Sequence, residues 1–354
     1  MKKISVLCLF GGRSSEYEVS LNSVYSILSN IDREKYTVHT LGITKEGKWL
    51  YYSGDAEYIK DGTWCERDVF PAMIVPDFGS NTLYVCKDGC SQIHIDVVFP
   101  VMHGAYSEDG TLQGLLEMSG LPYVGPGCLA SAVAMDKVFT KLVLNNFEIP
   151  QAEYTFFKDE QIHAGVGICA DEAEKKFSYP MFVQPANAGS SVGTGKAADR
   201  KTLEDALLNA AEYDSKVIIE EYIKGKEIEV AVMGNGNCLK ISCPGEIDPG
   251  SDYYDYDTKY KNNTSSVHIP AVIPEDTASK VRDYAKTIYC ALGCKGMSRV
   301  DFFVCENGRI VFNEINTLPG FTTISMYPKL FIHEKMSYSE IIDNLIALAI
   351  ESKK

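Results

Sequence analysis

RVDFFVCENGRIVFNEINTLPGFTTISM, residues 299–326, is the stretch that decides the fold of the C-terminal part of this chain. Two apolar runs flank the turn ENG at residues 306–308, and this order predicts a β-hairpin whose side chains alternate between two faces. The hairpin would bring together three oxygen-bearing side chains, Asp301, Glu314 and Asn316. Two carboxylates and an amide oxygen are hard ligands that Mg²⁺ accepts, so the pattern predicts a magnesium site. A solvated surface hairpin is the alternative interpretation for an isolated pair of acids.

The segment TLPGF, residues 317–321, follows the hairpin directly and favours a functional site over a solvated surface. Its glycine, Gly320, can present a backbone N–H to a developing oxyanion. Three hydroxyl groups that follow it can hydrogen-bond a carboxylate, those of Thr322, Thr323 and Ser325.

Composition restricts the class of protein. With 354 residues and 45% hydrophobic content, the chain can bury two or three modest cores. A net charge of −14 argues against a surface for nucleic acid or anionic membrane, while a local basic pocket for phosphates is compatible with it. No apolar run has membrane-spanning length, and the opening MKKISVLCLFGG reaches glycine too soon for a signal peptide. Eleven scattered cysteines without C-x-x-C pairs predict a reduced, cytoplasmic chain.

The first 124 residues show an α/β pattern. Strands are predicted at residues 4–10, 36–43 and 95–102, with a helix at residues 19–31. Such a pattern predicts a parallel sheet with functional residues at the carboxyl ends of its strands. The turn GGRSSE, residues 11–16, is not G-x-G-x-x-G, and Gly42 and Thr44 stand where a dinucleotide site would place an acid. The pattern therefore excludes a dehydrogenase.

Further along the chain, a Gly/Pro junction at residues 123–127 predicts a domain boundary. The next segment, residues 129–146, is predicted as a helix that carries Lys137 and Lys141. Residues 244–266 are too polar and tyrosine-rich for a core, which predicts a mobile lid loop. Two structural helices are predicted at residues 276–292 and 338–350, the second with a capping box of Ser337 and Glu340.

Residues 313–330, NEINTLPGFTTISMYPKL, resemble the C-terminal signature of D-alanine:D-alanine ligases, members of the ATP-grasp superfamily. Further matches run nearly end to end and include GGRSSE and the Met135-Asp136-Lys137 triplet. The resemblance implies an α/β chain with an ATP-grasp fold and an N-terminal Rossmann-like parallel-sheet domain. It divides the chain into a substrate domain at residues 1–124, a central lobe at residues 125–213, and a C-terminal lobe at residues 214–354 with the metal site and the lid.

The resemblance also implies four sets of site residues. The catalytic set is Glu16, Ser190, Tyr260, Arg299 and Gly320. The substrate-binding set is His103, Glu108, Lys259, Ser325 and Met326. The nucleotide-binding set is Lys137, Gln184, Ser191, Glu220, Ile223 and Glu227. The metal ligands are those predicted from the hairpin, Asp301, Glu314 and Asn316.

Among these, Glu16 would meet the ammonium of the first amino acid, and the Lys259-Tyr260 pair would close over the substrates from the lid. Glu220 and the backbone near Ile223 would contact the adenine edge, while Glu227 would take the ribose hydroxyls. Without the resemblance, each pattern has a simpler explanation: the glutamates after GGRSS are common in the first turn of a helix, and lysines on a helix are usually solvated.

Two positions depart from the family pattern. Gln184 stands where the family has a lysine, and a neutral amide hydrogen bond is about half as strong as a charge-assisted one, so weaker ATP binding is expected. Ser107 stands where the family has glycine, which would alter the loop if that glycine has a positive φ. Lys196 lies outside the matched position and receives no role.

The resemblance implies a two-step ligation. The carboxylate of one D-alanine attacks the γ-phosphoryl of ATP, and the amine of a second D-alanine then attacks the acyl-phosphate, giving a precursor for peptidoglycan. The expected cofactors are ATP and two Mg²⁺ ions, with Mn²⁺ as a substitute. The expected partners are D-alanine or D-serine and a second copy of the chain, with neither nucleic acid nor a membrane.

Two alternatives stay open. A D-alanine:D-serine ligase is kept open by Asp252 and Ser107, although Tyr254 and Tyr256 favour D-alanine as the second substrate. A nucleotide-binding pseudo-ligase without turnover is motivated by Gln184 and Ser107. The survival together of the metal ligands, the Gly320 loop and the Lys-Tyr lid pair favours an active enzyme.

Overall fold

The computed structural model describes residues 2–87, 89–189, 192–248 and 266–352. Its strands are β1 Ile4–Gly11, β2 Tyr36–Ile43, β3 Trp49–Tyr52, β4 Val69–Ile74, β5 Thr82–Val85, β6 Ser91–His94, β7 Val97–Val101, β8 Tyr154–Lys158, β9 Met181–Pro185, β10 Gly195–Ala197, β11 Lys216–Glu221, β12 Lys226–Asn235, β13 Cys238–Ile241, β14 Gly245–Asp248, β15 Ser266–His268, β16 Gly296–Val304 and β17 Ile310–Asn316. Its helices are α1 Tyr17–Asn30, α2 Ala56–Lys60, α3 Thr111–Ser119, α4 Cys128–Met135, α5 Lys137–Leu144, α6 Asp159–Glu174, α7 Arg200–Ala211, α8 Glu275–Ala291, α9 Met326–His333 and α10 Tyr338–Glu351, with a short 3₁₀ helix at Trp64–Glu66. None of these helices is long and apolar enough to cross a membrane.

The N-terminal sheet has the strand order β6-β5-β4-β3-β2-β1-β7. Strand β1 pairs in parallel with β2 and with β7, so the predicted parallel sheet is confirmed for these three strands. Because both faces of such a strand are covered, β1 is apolar from Val6 to Phe10: Val6, Cys8 and Phe10 enter one core, whereas Leu7 and Leu9 enter another. Strands β3 to β6 extend the sheet with antiparallel pairs, an extension that the sequence pattern did not predict.

The central sheet has the order β10-β9-β11-β8. One face packs against α6 and α7, with residues such as Val183 and Ile219 in a shared core. The opposite face carries Phe182 and Glu220, which lie opposite each other in the β9–β11 register, and this face borders a cleft. Because β11 pairs within this sheet, we propose that the central lobe extends through β11 rather than ending at residue 213.

The third sheet has the order β15-β14-β12-β16-β17, with β13 paired to β12. Strands β16 and β17 form the predicted hairpin, in which Asp301 lies opposite Glu314 and Arg299 lies opposite Asn316. The register shifts between Asp301 and Phe302, where an irregularity interrupts the regular pairing. Helix α8 covers one face of the sheet, and its buried stripe agrees with the helix predicted there.

One hydrophobic core joins the first and last parts of the chain. It contains residues of β1 and α1, such as Val24, together with residues of α9 and α10, such as Leu330 and Leu345. The N-terminal domain is therefore packed directly on the C-terminal lobe. The loop between β17 and α9 lies at this junction, with Leu318 and Phe321 in the same core.

The helix predicted over residues 129–146 is two helices, so that prediction was wrong in one respect. The break falls at Asp136, whose φ of −88° and ψ of 104° are not helical. Its side chain accepts hydrogen bonds from the N–H groups of Val138 and Phe139, both at 3.0 Å, and so caps α5. Lys216 on β11 lies 2.5 Å from the same carboxylate and ties the cap to the central sheet.

The capping box at the start of α10 provides a test of the C-terminal packing. Ser337 Oγ accepts from the Glu340 N–H at 3.2 Å, and Glu340 Oε2 accepts from the Ser337 N–H at 2.7 Å. Ser337→Ala should lower the free energy of unfolding by about 1 kcal/mol because one helix N–H loses its acceptor. Urea unfolding measures the change. Ser352→Ala, at the other end of α10, is the control, and equal losses in the two variants would contradict the prediction.

Candidate active site

A cavity of about 750 Å³ lies between the central sheet and the third sheet. Its volume is within the range of about 300–1,000 Å³ that is usual for pockets that bind small molecules and cofactors. Six predicted site residues line it: Lys137, Gln184, Glu220, Ile223, Glu227 and Glu314. The structure thus brings five of the six predicted nucleotide contacts and one predicted metal ligand to a single cleft.

A buried polar cluster forms one wall of this cleft. Lys141 is 1% exposed, and its Nζ lies 2.7 Å from Glu220 Oε1. Gln184 Nε2 donates to the other oxygen of Glu220, also at 2.7 Å. The cluster is formally neutral, since one ammonium faces one carboxylate and the third member is an amide. Sequence reasoning placed Lys141 on the helix without a role; its position one turn after Lys137 was the available signal.

Lys137 connects the two sides of the cleft. It is the first residue of α5, and its Nζ donates to the Ala188 carbonyl at 3.0 Å, at the start of the glycine-serine loop. The same ammonium lies 3.5 Å from Glu314 Oε2 on the β16–β17 hairpin. A cation in this position can contact phosphate oxygens as a point charge.

Arg299 pairs with an acidic side chain on its own strand, β16, and with one on the neighbouring strand, β12. Its Nε and Nη2 donate to the two oxygens of Asp301 at 2.8 and 2.6 Å, and Nε also lies 3.0 Å from Glu229 Oε2. Burial alone would lower the pKa of Arg299, but the charges of Asp301 and Glu229 hold that pKa well above its usual value. The guanidinium therefore remains charged and offsets the two buried carboxylates beside it.

The predicted magnesium ligands have a donor set that fits the ion. Asn316 Nδ2 donates to Asp301 Oδ2 at 2.9 Å, so the amide oxygen of Asn316 is the atom left for a cation. Glu314 adds a second carboxylate from the opposing strand position. Two carboxylates and one amide are hard oxygen donors that suit Mg²⁺. No group of three or more His, Cys, Asp or Glu side chains is placed to hold a metal ion among the described residues, the hairpin included, so the predicted site rests on two carboxylates and one amide.

Glu16 lies in the loop after β1, at the N-cap position of α1. Its side chain makes no capping hydrogen bond, which argues against the interpretation as a helix cap. A Cβ atom at Gly104 or at Gly189 would come within 2.7 Å of Glu16 Oε2. The carboxylate therefore lies between the loop after β7 and the glycine-serine loop of the central lobe. At Gly104, whose φ is 73°, a side chain would also strain the backbone.

His103 and Glu108 both bind the backbone of the loop that carries Gly320. His103 Nδ1 is 2.9 Å from the Leu318 carbonyl, and Glu108 Oε1 accepts from the Leu318 N–H at 3.0 Å. Glu108 Oε2 accepts from the Gly104 N–H at 2.8 Å. Burial lowers the pKa of His103. Burial and, to a smaller extent, the nearby Glu16 charge raise the pKa of Glu108 to about 8.

Ser107 does not distort its loop. It has no positive φ; its neighbour Tyr106 has one, at 64°. Ser107 is buried and its Oγ donates to the Gly104 carbonyl at 2.8 Å. The glycine that the family has at this position is therefore not required by the backbone conformation.

Gly320 and Ser325 lie together after the hairpin. A Cβ atom at Gly320 would be 2.8 Å from Ser325 Oγ, so a side chain at position 320 would displace that hydroxyl. Ser325 Oγ accepts from the Thr322 N–H at 3.0 Å and lies 2.8 Å from the Thr322 hydroxyl. Met326 begins α9 and is buried, close to Gly245 on β14; its place in the second amino-acid subsite stays a prediction.

Several predicted residues lie outside the described ranges. They are Ser190, Ser191, Asp252, Tyr254, Tyr256, Lys259 and Tyr260, and with them most of the predicted lid at residues 244–266. Their roles stay predictions. Sequence reasoning also missed Ser23, a buried hydroxyl on α1 that contacts both His103 and the Phe321 N–H.

Two sheets around a nucleotide-sized cavity, next to an N-terminal sheet with a parallel centre, define an ATP-grasp fold. The family models described as D-ala D-ala ligase N-terminus and D-ala D-ala ligase C-terminus match residues 5–126 and 143–347. This chain belongs to the D-alanine–D-alanine ligase family, which confirms the resemblance and the fold class inferred from the motifs.

Individual relatives match over nearly the whole chain. The D-alanine–D-alanine ligase of Acetivibrio thermocellus is 48% identical, with 99% of this chain and 96% of that protein covered. D-alanine–D-alanine ligase B of Clostridium tetani is 47% identical, with 100% and 95% covered. Among solved structures, the VanG D-Ala:D-Ser ligase of Enterococcus faecalis is 37% identical with a TM-score of 0.89, covering 98% and 100% of the two chains. The ligase of Coxiella burnetii is 32% identical with a TM-score of 0.86, covering 100% and 95%.

The raised pKa of Glu108 predicts a pH-dependent stability. Since burial raises this pKa from 4.5 to about 8 in the folded state, the folded protein binds the proton more tightly than the unfolded chain. The contribution of Glu108 to stability is then fully present below pH 4.5 and decreases as pH rises to about 8. Glu108→Gln cannot titrate, so the stability advantage of the wild type over this variant should shrink across that interval.

Urea unfolding at several pH values measures this slope. Glu212→Gln, which removes an exposed carboxylate, is the control and should parallel the wild type. A Glu108→Gln variant with the same pH slope as the wild type would show that Glu108 does not titrate in this range.

Proposed function

We propose that this protein is an ATP-dependent, ADP-forming ligase that joins two D-alanines into D-alanyl-D-alanine for peptidoglycan precursor synthesis. The observation that carries the proposal is the continuity of β17 with the Gly320 loop: Glu314 and Asn316 end the strand that borders the nucleotide-sized cavity, and the loop starts at the next residue. Phosphoryl transfer and acyl transfer would therefore take place on adjacent segments of the chain, the hairpin and the loop that follows it. The full-length similarity to D-alanine–D-alanine ligases supports the same reaction.

In the first step, the carboxylate of D-alanine attacks the γ-phosphoryl of ATP and ADP leaves. Glu16 would hold the ammonium of this D-alanine, because its carboxylate lies where the N-terminal domain meets the glycine-serine loop. Lys137 would contact phosphate oxygens from the opposite side. Two Mg²⁺ ions, with Mn²⁺ as a substitute, would neutralise charge on the phosphates when held by Asp301, Glu314 and Asn316.

In the second step, the amine of the other D-alanine attacks the acyl-phosphate and phosphate leaves. Negative charge then develops on the acyl oxygen, and the Gly320 N–H and the charged Arg299 would stabilise it. Ser325 would bind the carboxylate of the second D-alanine. Closure of the lid with Lys259 and Tyr260, toward Ser190, would exclude water from an intermediate that hydrolyses readily.

The adenine would occupy the cavity at the end of β11. Glu220 and the backbone at Ile223 border this region, and Glu227, the second residue of the return strand β12, lines the same cavity. The described cysteines are free thiols, which agrees with a cytoplasmic enzyme that uses cellular ATP. A homodimer is part of the proposal from the family resemblance.

D-serine is the second candidate for the amino-acid nucleophile. The observation in its favour is the structural similarity to a D-Ala:D-Ser ligase, with a TM-score of 0.89 and 37% identity. The curated relatives at 46 to 48% identity are D-alanine–D-alanine ligases, so D-alanine is preferred.

The reaction is tested by mass spectrometry of the products from ATP, Mg²⁺ and equal amounts of D-alanine and D-serine. D-alanyl-D-alanine should predominate, and chelation of the metal should abolish its formation until Mg²⁺ or Mn²⁺ is restored. Predominant D-alanyl-D-serine would assign the protein to the D-serine ligases. Absence of any dipeptide, with nucleotide binding intact, would identify a pseudo-ligase.

Gln184→Lys tests the electrostatics of the nucleotide site. A lysine would add a second ammonium beside the Lys141–Glu220 pair, and ATP phosphates are the anions placed to neutralise it. A charge-assisted bond in place of a neutral one should lower the Kd for Mg-ATP by about tenfold, equal to about 1.4 kcal/mol.

Calorimetric titration with Mg-ATP and with adenosine separates phosphate contacts from adenine contacts. Adenosine affinity should stay within about twofold in Gln184→Lys, whereas Gln184→Met, which loses the bond to Glu220, should gain nothing for ATP. Unchanged Mg-ATP affinity in Gln184→Lys would show that residue 184 does not face the phosphates.

A further inference from the structure

The loop Leu318-Pro319-Gly320-Phe321 has the sequence of a tight turn. Proline at the second position and glycine at the third favour a type II turn, closed by a bond from the Phe321 N–H to the Leu318 carbonyl. The structure does not form this turn. Gly320 lies outside the left-handed region that a type II turn needs, and both closing groups bind other partners.

Two side chains of the N-terminal domain replace the closing bond. The Phe321 N–H donates to Ser23 Oγ at 3.2 Å. Ser23 Oγ lies 3.3 Å from His103 Nε2, and His103 Nδ1 lies 2.9 Å from the Leu318 carbonyl. Ser23 and His103 are 0% and 6% exposed, so water does not compete for these bonds.

The hydrogen-bond partners determine which atom donates and which accepts at each position in this chain of bonds. A carbonyl only accepts, so His103 Nδ1 carries a proton and donates to Leu318. The imidazole is neutral because burial lowers its pKa, which leaves Nε2 as an acceptor. The Ser23 hydroxyl then donates to Nε2 and accepts from Phe321, and all three groups are satisfied.

We propose that Ser23 and His103 form a relay that holds the Gly320 loop open and sets the position of its oxyanion-binding N–H. Ser23 is a positioning residue in this relay, and His103 acts on the loop backbone in addition to any contact with substrate. The inference rests on the proposed ligase function of the Gly320 N–H. Glu108 supports it independently, because it accepts the Leu318 N–H and so holds the other polar group of the same residue.

The relay explains why the loop is coupled to the first domain. Gly320 itself donates to no acceptor among the residues that the structure describes, so its N–H direction depends on the neighbours that are held. Displacing an oxyanion donor weakens charge stabilisation in the transition state more than substrate binding. Loss of the relay should therefore lower kcat and leave the KM for ATP nearly unchanged.

The tautomer of His103 can be measured without any variant. Nitrogen NMR of the full-length protein with ¹⁵N-labelled histidine should show His103 neutral and protonated at Nδ1 near pH 7, with His103→Gln used to assign its signals. Protonation at Nε2 instead would overturn the relay. This measurement does not depend on turnover, so it tests the relay even if the protein forms no dipeptide and the proposed function fails.

Ser23→Ala tests the consequence for catalysis. Loss of a complete oxyanion donor lowers rates by about 10²–10³, so a displaced donor should lower kcat by at least about tenfold, and the His103 Nε2 signal should move. Ser23→Thr keeps the hydroxyl and should recover part of kcat. Ser119→Ala, which removes a hydroxyl of similar burial in α3, is the control for folding and should leave kcat unchanged. Wild-type kcat in Ser23→Ala, or a loss confined to the KM for ATP, would overturn the positioning role.

Discussion

Burial of the Phe321 ring is the constraint on which the arrangement of the site depends. The ring is 1% exposed and contacts aromatic rings from three elements: Phe99 on β7, Tyr327 on α9 and Tyr338 on α10, with centroid distances of 6.0, 5.6 and 6.1 Å. Removing a buried phenylalanine typically costs about 3–5 kcal/mol, more than any single hydrogen bond in the loop contributes. Packing therefore fixes the end of the Gly320 loop against the N-terminal domain.

Hydrogen bonds then determine the orientation of the peptide groups in the loop, which packing of the ring does not fix. A buried ring restricts where Phe321 lies, but it does not orient the peptide groups at Leu318 and Gly320. Polar bonds to Ser23, His103 and Glu108 do this, and each would leave an unsatisfied buried group if its partner were removed. The hydrophobic core and the polar relay thus act on the same loop. The core fixes the position of the Phe321 ring, and the hydrogen bonds fix the directions of the peptide groups.

The sequence predicted the local features of the site well. Alternation in RVDFFV and RIVFNEIN together with the ENG turn was enough to predict the hairpin and the facing of Asp301 and Glu314, because register follows from turn position. The break at Asp136 was missed because apolar periodicity continues through it, and only the capping aspartate marks the start of a second helix. Strands β3 to β6 were missed because short antiparallel strands with partly exposed faces give weak periodic signals.

Contacts between residues that are far apart in the sequence could not be predicted from the sequence pattern. Ser23 and Phe321 are 298 positions apart, and nothing in the pattern of α1 distinguishes Ser23 from the other buried serines on that helix, Ser20 and Ser26. Gln184 was recognised as a departure from the family, but its bond to Glu220 depends on the pairing of β9 with β11. The motifs identified the candidate site residues, but only the tertiary structure shows which residues they contact.

The charges of the cleft differ in how firmly they are held, and this difference bears on nucleotide binding. Lys141 and Arg299 are buried and lie within 3.0 Å of their carboxylates, so separating either pair would leave an uncompensated charge in a region of low dielectric. Lys137 lies farther from its carboxylate, at 3.5 Å from Glu314, and its second bond is to a neutral carbonyl. Phosphate oxygens can replace that distant contact at small cost, whereas they cannot replace the other two. In the proposed ligase, Lys137 is therefore the lysine best placed to transfer its interaction to ATP, while Lys141 and Arg299 keep their carboxylate partners.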